Sequence, residues 1–117
     1  MAHREQTSED EYNEAVQTAY DEYNKTLQLA REKFRKVQQD AEKEYVNARE
    51  NIRIKYIKPG QPVPAEYEKT ALVVQDKYYK VVQDAQQEYD KVYQEAWDKY
   101  MKAIQAARER QGKSSTV

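Results

Sequence analysis

Cysteine is absent from this chain, histidine occurs once, glycine twice and proline three times. Without thiols there is no disulfide and no thiolate metal site, although compartment stays open, since extracellular proteins can also do without crosslinks. Every Pro and Gly except Gly112 lies between Pro59 and Pro64, so nothing elsewhere punctuates the chain into short strands and turns. Two glycines are too few for a glycine-rich phosphate cradle. His3 stands alone near the start, which removes Glu-x-x-His di-iron motifs, bundle haem ligation and His-based catalytic sets. Carboxylates abound, but their spacing follows a solvated helix face and no EF-hand loop is present, so no metal or cofactor is expected.

An excess of one charge is also missing: 20 Lys plus Arg stand against 21 Asp plus Glu. Phosphate-backbone binding would leave an electrostatic footprint, so nucleic acid is not expected as a partner. No apolar run approaches the ~20 residues of a membrane-spanning helix, and the start MAHREQTSEDE lacks the apolar segment of a secretory signal. A cytoplasmic chain is the expectation. With 38% hydrophobic and 35% charged residues in 117, one domain with a thin core is expected.

What is present is a repeat. An aromatic recurs every eleven positions at Tyr12, Tyr23, Phe34, Tyr45, Tyr56, Tyr67, Tyr78, Tyr89 and Tyr100, where chance would place about one. The residue before each is charged: Glu11, Glu22, Lys33, Glu44, Lys55, Glu66, Lys77, Glu88 and Lys99. Third and seventh positions after the aromatic are mostly apolar, which gives steps of 3, 4 and 4. Three turns in eleven residues is slightly looser than a relaxed helix, so the stripe runs straight or coils gently to the right, unlike a heptad coil. Asp21 with Lys25, Glu32 with Lys36, Asp76 with Lys80 and Asp98 with Lys102 place an acid four residues before a base on the outer face.

Two helices follow. Ser8 with Glu11 has the S-x-x-E form of a capping box, so the first helix is predicted over 8–58. A Pro/Gly turn is predicted over 59–64, a second helix over 64–111 and a flexible tail over 112–117. Each helix would measure roughly 70 to 75 Å at ~1.5 Å per residue. A connection this short makes them antiparallel neighbours, so the fold class is all-α, a two-helix hairpin and long eleven-residue-repeat coiled coil. The aromatic frame continues across the turn, which opposes residues whose numbers sum to about 123 and pairs Tyr56 with Tyr67, Tyr45 with Tyr78, Phe34 with Tyr89 and Tyr23 with Tyr100.

The predicted seam comprises Tyr12, Ala19, Tyr23, Ala30, Phe34, Val37, Ala41, Tyr45, Ala48, Ile52 and Tyr56 on the first helix, and Tyr67, Val74, Tyr78, Val81, Ala85, Tyr89, Val92, Ala96 and Tyr100 on the second. Tyr suits a seam two helices deep, because its ring packs while its hydroxyl reaches the wet edge. Two helices bury little apolar surface against the entropy of ordering them. The stripe is also wider than one seam needs, through Val16, Leu27, Leu72, Val73, Tyr79, Val82, Tyr93, Trp97 and Ile104. A second copy is the simplest cover, giving a homodimeric four-helix bundle.

In its period alone, over residues 12–110, the chain resembles the eleven-residue amphipathic repeats of exchangeable apolipoproteins, perilipins, synucleins and late-embryogenesis proteins. That resemblance implies reversible lipid or dehydration-linked binding. Those families set small residues and boundary lysines around a broad shallow face, whereas here Tyr, Ala and Val concentrate in a narrow stripe. The leading expectation is a non-enzymatic structural or interaction protein, a self-associating rod used as scaffold, spacer or docking surface. The second is a peripheral lipid-surface binder whose helices open and lay the stripe on a membrane. The third is an inhibitor or adaptor presenting a helix face to a protein partner. The final Ser114-Ser115-Thr116-Val117 has the form read by domains that capture a free carboxylate.

Overall fold

The computed structural model describes residues 7–115, with side chains to residue 112. The described chain is all-α: helix α1 spans Ser8–Tyr56 (49 residues) and helix α2 spans Ala65–Ser115 (51 residues), paired as an antiparallel hairpin. It divides into two compact units, a terminal unit of Met1–Ala30 with Asp90–Val117 and a turn unit of Arg31–Tyr89. His3, Thr116 and Val117 lie outside the described residues.

The cap of α1 sits one residue earlier than the sequence suggests. Asp10 donates its backbone N–H to Thr7 Oγ1 at 3.0 Å, and the Thr7 N–H returns a bond to Asp10 Oδ2 at 3.3 Å. Thr7 and Asp10 therefore form the reciprocal box assigned above to Ser8 and Glu11. The shorter Asp side chain reaches the Thr7 N–H, and Ser8 becomes the first helical residue. Glu9, Asp10 and Glu11 then sit at the positive end of the helix.

At the other end α1 stops at Tyr56, two residues before the predicted boundary, with one further bond from the Ile57 N–H to the Arg53 carbonyl at 2.9 Å. Lys58 to Gln61 closes a turn by a 3.2 Å bond from the Gln61 N–H to the Lys58 carbonyl. Pro59 presets the second position, and Gly60 takes φ +75° at the third, the pattern of a type II turn. Pro64 directly precedes α2 and accepts the Tyr67 N–H at 3.1 Å. The predicted tail is corrected in part, since α2 runs on through Gly112 to Ser115. A glycine ends a helix by adopting positive φ, and Gly60 is the only glycine that does so. At Gly112 the substitution of Gly for Ala costs helix stability but does not break the helix.

The rings report the register. Tyr45 stacks on Tyr78 with centroids 4.8 Å apart, Phe34 meets Tyr89 at 5.9 Å, and Tyr23 meets Tyr100 at 5.3 Å; every one of these pairs sums to 123. An aromatic every eleven residues cannot by itself forbid a slip of eleven, but the charge preceding each aromatic can. Lys99 Nζ lies 3.9 Å from Glu22 Oε2. Glu44 and Lys77 line one groove, as do Glu11 and Arg110. The same offset assigns Lys33 to Glu88 and Lys55 to Glu66, so opposite charges oppose at all five positions. A slip of one repeat would instead set Glu22 against Glu88 and Lys33 against Lys77. Exposed pairs are worth little each, so their role here is to penalise wrong registers together with the short turn.

Candidate interaction surface

Only six apolar residues are buried among those described: Ala19, Leu27, Ala41, Ile52, Ala96 and Ala107. Four are alanines, and no side chain is fully enclosed. Small residues at the third and seventh positions let the helices approach, while the rings fill the gaps on either side and stay half-exposed. Every residue of the predicted seam is buried or half-buried, from Tyr12 and Ala19 through Tyr56 and from Tyr67 to Tyr100. No buried side-chain polar atom lacks a hydrogen-bond partner among the described residues, as a ladder of Tyr hydroxyls at a wet edge requires.

Of the predicted outer surface, Leu72, Val73, Tyr79, Tyr93 and Trp97 are exposed, and Val16, Val82 and Ile104 are half-buried. Leu27 is a correction: it is 5% exposed and belongs to the helix–helix core. Its position lies four residues after Tyr23, close to the seam direction, and the register sets it opposite the small Ala96, which leaves room for a leucine. The sequence reading also missed Tyr20, Leu29, Val46, Ile54, Val63 and Met101, all exposed and apolar or aromatic. For Tyr20 a signal existed: it stands four residues after Val16, and the same row of the repeat carries Trp97 on α2.

In the terminal unit these residues make a cluster. Tyr23 is the hub, with Tyr100 at 5.3 Å, Trp97 at 5.9 Å and Tyr93 at 6.3 Å, the last two edge-on. Tyr20 touches Tyr100 at 6.3 Å, and Trp97 touches Tyr100 at 5.8 Å. Edge and tilted contacts of this kind suit the ring quadrupole better than face-to-face stacking.

No protein family, curated protein or solved structure matches this chain.

The turn unit treats its rings differently. Arg31 Nε donates to the Tyr89 hydroxyl at 3.2 Å, Gln75 Nε2 to the Tyr79 hydroxyl at 3.2 Å, and the Arg49 guanidinium lies 5.5 Å from the Tyr45 ring centre. A groove of about 360 Å³ runs beside Tyr45 and Tyr78, lined also by Ala41, Ala48, Val74 and Val81. Glu50 and Arg53 pair through two hydrogen bonds on α1. The Arg53 bond holds the Glu50 carboxyl below its usual range and raises the Arg53 value in turn. Both groups are fully exposed neighbours on one helix, a structural pair and not a cleft acid. Among the described residues no three His, Cys, Asp or Glu converge as a metal site, and no helix is long and apolar enough to cross a membrane.

Proposed function

We propose that this chain is a non-enzymatic structural or interaction protein, a hairpin of eleven-residue repeats that pairs with a second copy into a four-helix bundle and serves as scaffold, spacer or docking surface. The observation that carries this reading is the mismatch between apolar content and enclosure. The chain exposes 9768 Å². A compact protein of 13.9 kDa exposes about 6,700 Å² by the usual mass scaling, so about 3,000 Å² remains that a compact fold would have hidden. An obligate dimer removes roughly 1,000 to 2,500 Å² per copy, which fits within that excess. Six buried residues, four of them alanine, are a small return for ordering two helices of 49 and 51 residues.

Sedimentation equilibrium combined with small-angle scattering tests the reading. A salt-stable dimer at micromolar protomer, with four-helix cross-section, is the expected result. A species that stays monomeric and fully helical up to hundreds of micromolar overturns it, and helicity that rises only with anionic vesicles would turn the assignment to a lipid surface.

A further inference from the structure

We infer that the self-association surface is the aromatic patch of the terminal unit, and that its occupant is the same patch of a second copy, met across a two-fold axis. This rests on the reading of the chain as a self-associating hairpin and adds where the copies meet. Tyr20, Tyr93 and Trp97 are 48, 43 and 40% exposed although each touches another ring of the cluster, so each keeps a solvent-facing aromatic surface. Helical spacing extends it: Val16 lies one turn before Tyr20, and Met101 one turn after Trp97. Trp and Tyr in such a patch are the residue types that dominate binding energy at interfaces.

Two observations select a second copy over other partners, the character of the rim and the roughly 3,000 Å² of surface beyond a compact fold, which a dimer interface of about 1,000 to 2,500 Å² per copy would cover. Across a two-fold, residue i of one copy meets residue j of the other, so a face whose rim is uncharged or of mixed sign can meet itself, whereas a rim of one sign would repel its copy. The rim mixes amides and charges of both signs: Gln17 and Gln94 donate to Asp21 and Asp98, Gln105 donates to Glu109, Asn24 is uncharged, and Asp90 and Arg108 stand seven residues before and eleven after Trp97. A rim of amides, carboxylates and a single arginine offers little attraction to anionic lipid or nucleic acid, which call for a surplus of lysine and arginine. In the turn unit Arg31 and Gln75 bond the hydroxyls of Tyr89 and Tyr79 and Arg49 lies near the Tyr45 ring, while Tyr79 itself stays 57% exposed.

The single Trp makes the inference measurable. Diluting the protein through its dissociation range should shift Trp97 emission to the red and open it to acrylamide quenching, in step with the mass change by sedimentation. Tyr20→Ser and Tyr93→Ser should each weaken association by about thirty-fold or more, as hot-spot residues do. Leu72→Ser, on an exposed position of the turn unit, should change it less than about three-fold. Circular dichroism confirms that the variants remain helical. A dimer whose dissociation leaves Trp97 emission unchanged, or which Leu72→Ser splits and Tyr20→Ser does not, overturns the site and leaves self-association standing. A wild-type chain that is monomeric throughout overturns both.

Discussion

In the terminal unit four rings gather around Tyr23, three of them touching it and Tyr20 joining through Tyr100, whereas the turn unit holds its cross-helix rings as separate pairs, Phe34 with Tyr89 and Tyr45 with Tyr78. Both units place aromatics eleven residues apart in sequence, and one neighbouring row bears on their difference. Eight residues after the aromatic stand Tyr20, Trp97 and Arg108 in the terminal unit, against Arg31, Glu42, Arg53, Pro64, Gln75 and Gln86 in the turn unit, so only the terminal unit has rings in this row. Filling that row with rings turns a pair into a cluster with an outward apolar face. Filling it with charge and amide gives a ring pair a polar coat from its own chain. The aromatics spaced by eleven meet across the helices in both units, and Tyr20 and Trp97 beside them give the terminal unit its outward rings.

Removing the shared aromatic should expose this difference with the largest effect. Tyr23 touches three rings across the seam and Tyr45 one. Ring pairs add about 0.5 to 1.5 kcal/mol beyond area burial. Tyr23→Ala should thus cost about 3 kcal/mol and Tyr45→Ala or Tyr78→Ala about 2, measured by urea unfolding at fixed protomer concentration. Changes at the exposed Lys36 and Lys80 should stay within about 0.5 kcal/mol. Equal losses at Tyr23, Tyr45 and Lys80 would erase the contrast between the units and the register with it.

The architecture was legible because its determinants are local and periodic. Pro59 and Gly60 can make little but a turn, and a frame of eleven that continues across it leaves antiparallel registers one repeat apart, among which the short turn and the charges preceding the aromatics choose. The details that escaped were decided by competition between near-equal neighbours. Thr7 with Asp10 and Ser8 with Glu11 both satisfy the capping pattern, and nothing in the pattern chooses between them. Gly112 ends a helix or continues it according to a backbone angle that sequence leaves free. Leu27 reads as outer surface when α1 is considered alone, and becomes core only when the small Ala96 stands opposite. Tyr20 is hard to read because it is the one aromatic of its row on α1, where Arg31, Glu42 and Arg53 follow it.

Charge gives a second, smaller contrast. The terminal unit places its ion pair between helices, Glu22 with Lys99, while the turn unit holds Glu50 with Arg53 inside one helix. An interhelical pair informs the register; a pair within one helix does not. Glu22→Lys should therefore lower stability by up to about 1 kcal/mol, and adding Lys99→Glu should restore most of it, giving a measurable coupling in a double-mutant cycle. A reversed pair that recovers nothing would mean that the charges preceding the aromatics take no part in alignment.

Acid should reveal the local pair as the smallest effect. The Arg53 hydrogen bond depresses the Glu50 carboxyl from its ordinary 4.5 in the folded chain. A depressed carboxyl contributes stability that is present above the unfolded value and lost as pH falls through the folded one. Arg53 stays charged across this range, so only Glu50 titrates. Wild type and Glu50→Gln should accordingly differ most near pH 7, and the wild type should lose its relative advantage as pH falls below about 4.5, followed as the difference between their thermal midpoints. Full solvent exposure keeps the shift within a few degrees, and the Glu22→Lys chain should show the same Glu50 dependence, because the pair belongs to one helix of the turn unit. A Glu50 effect that vanishes in that background would instead mean that the two units share one cooperative electrostatic network.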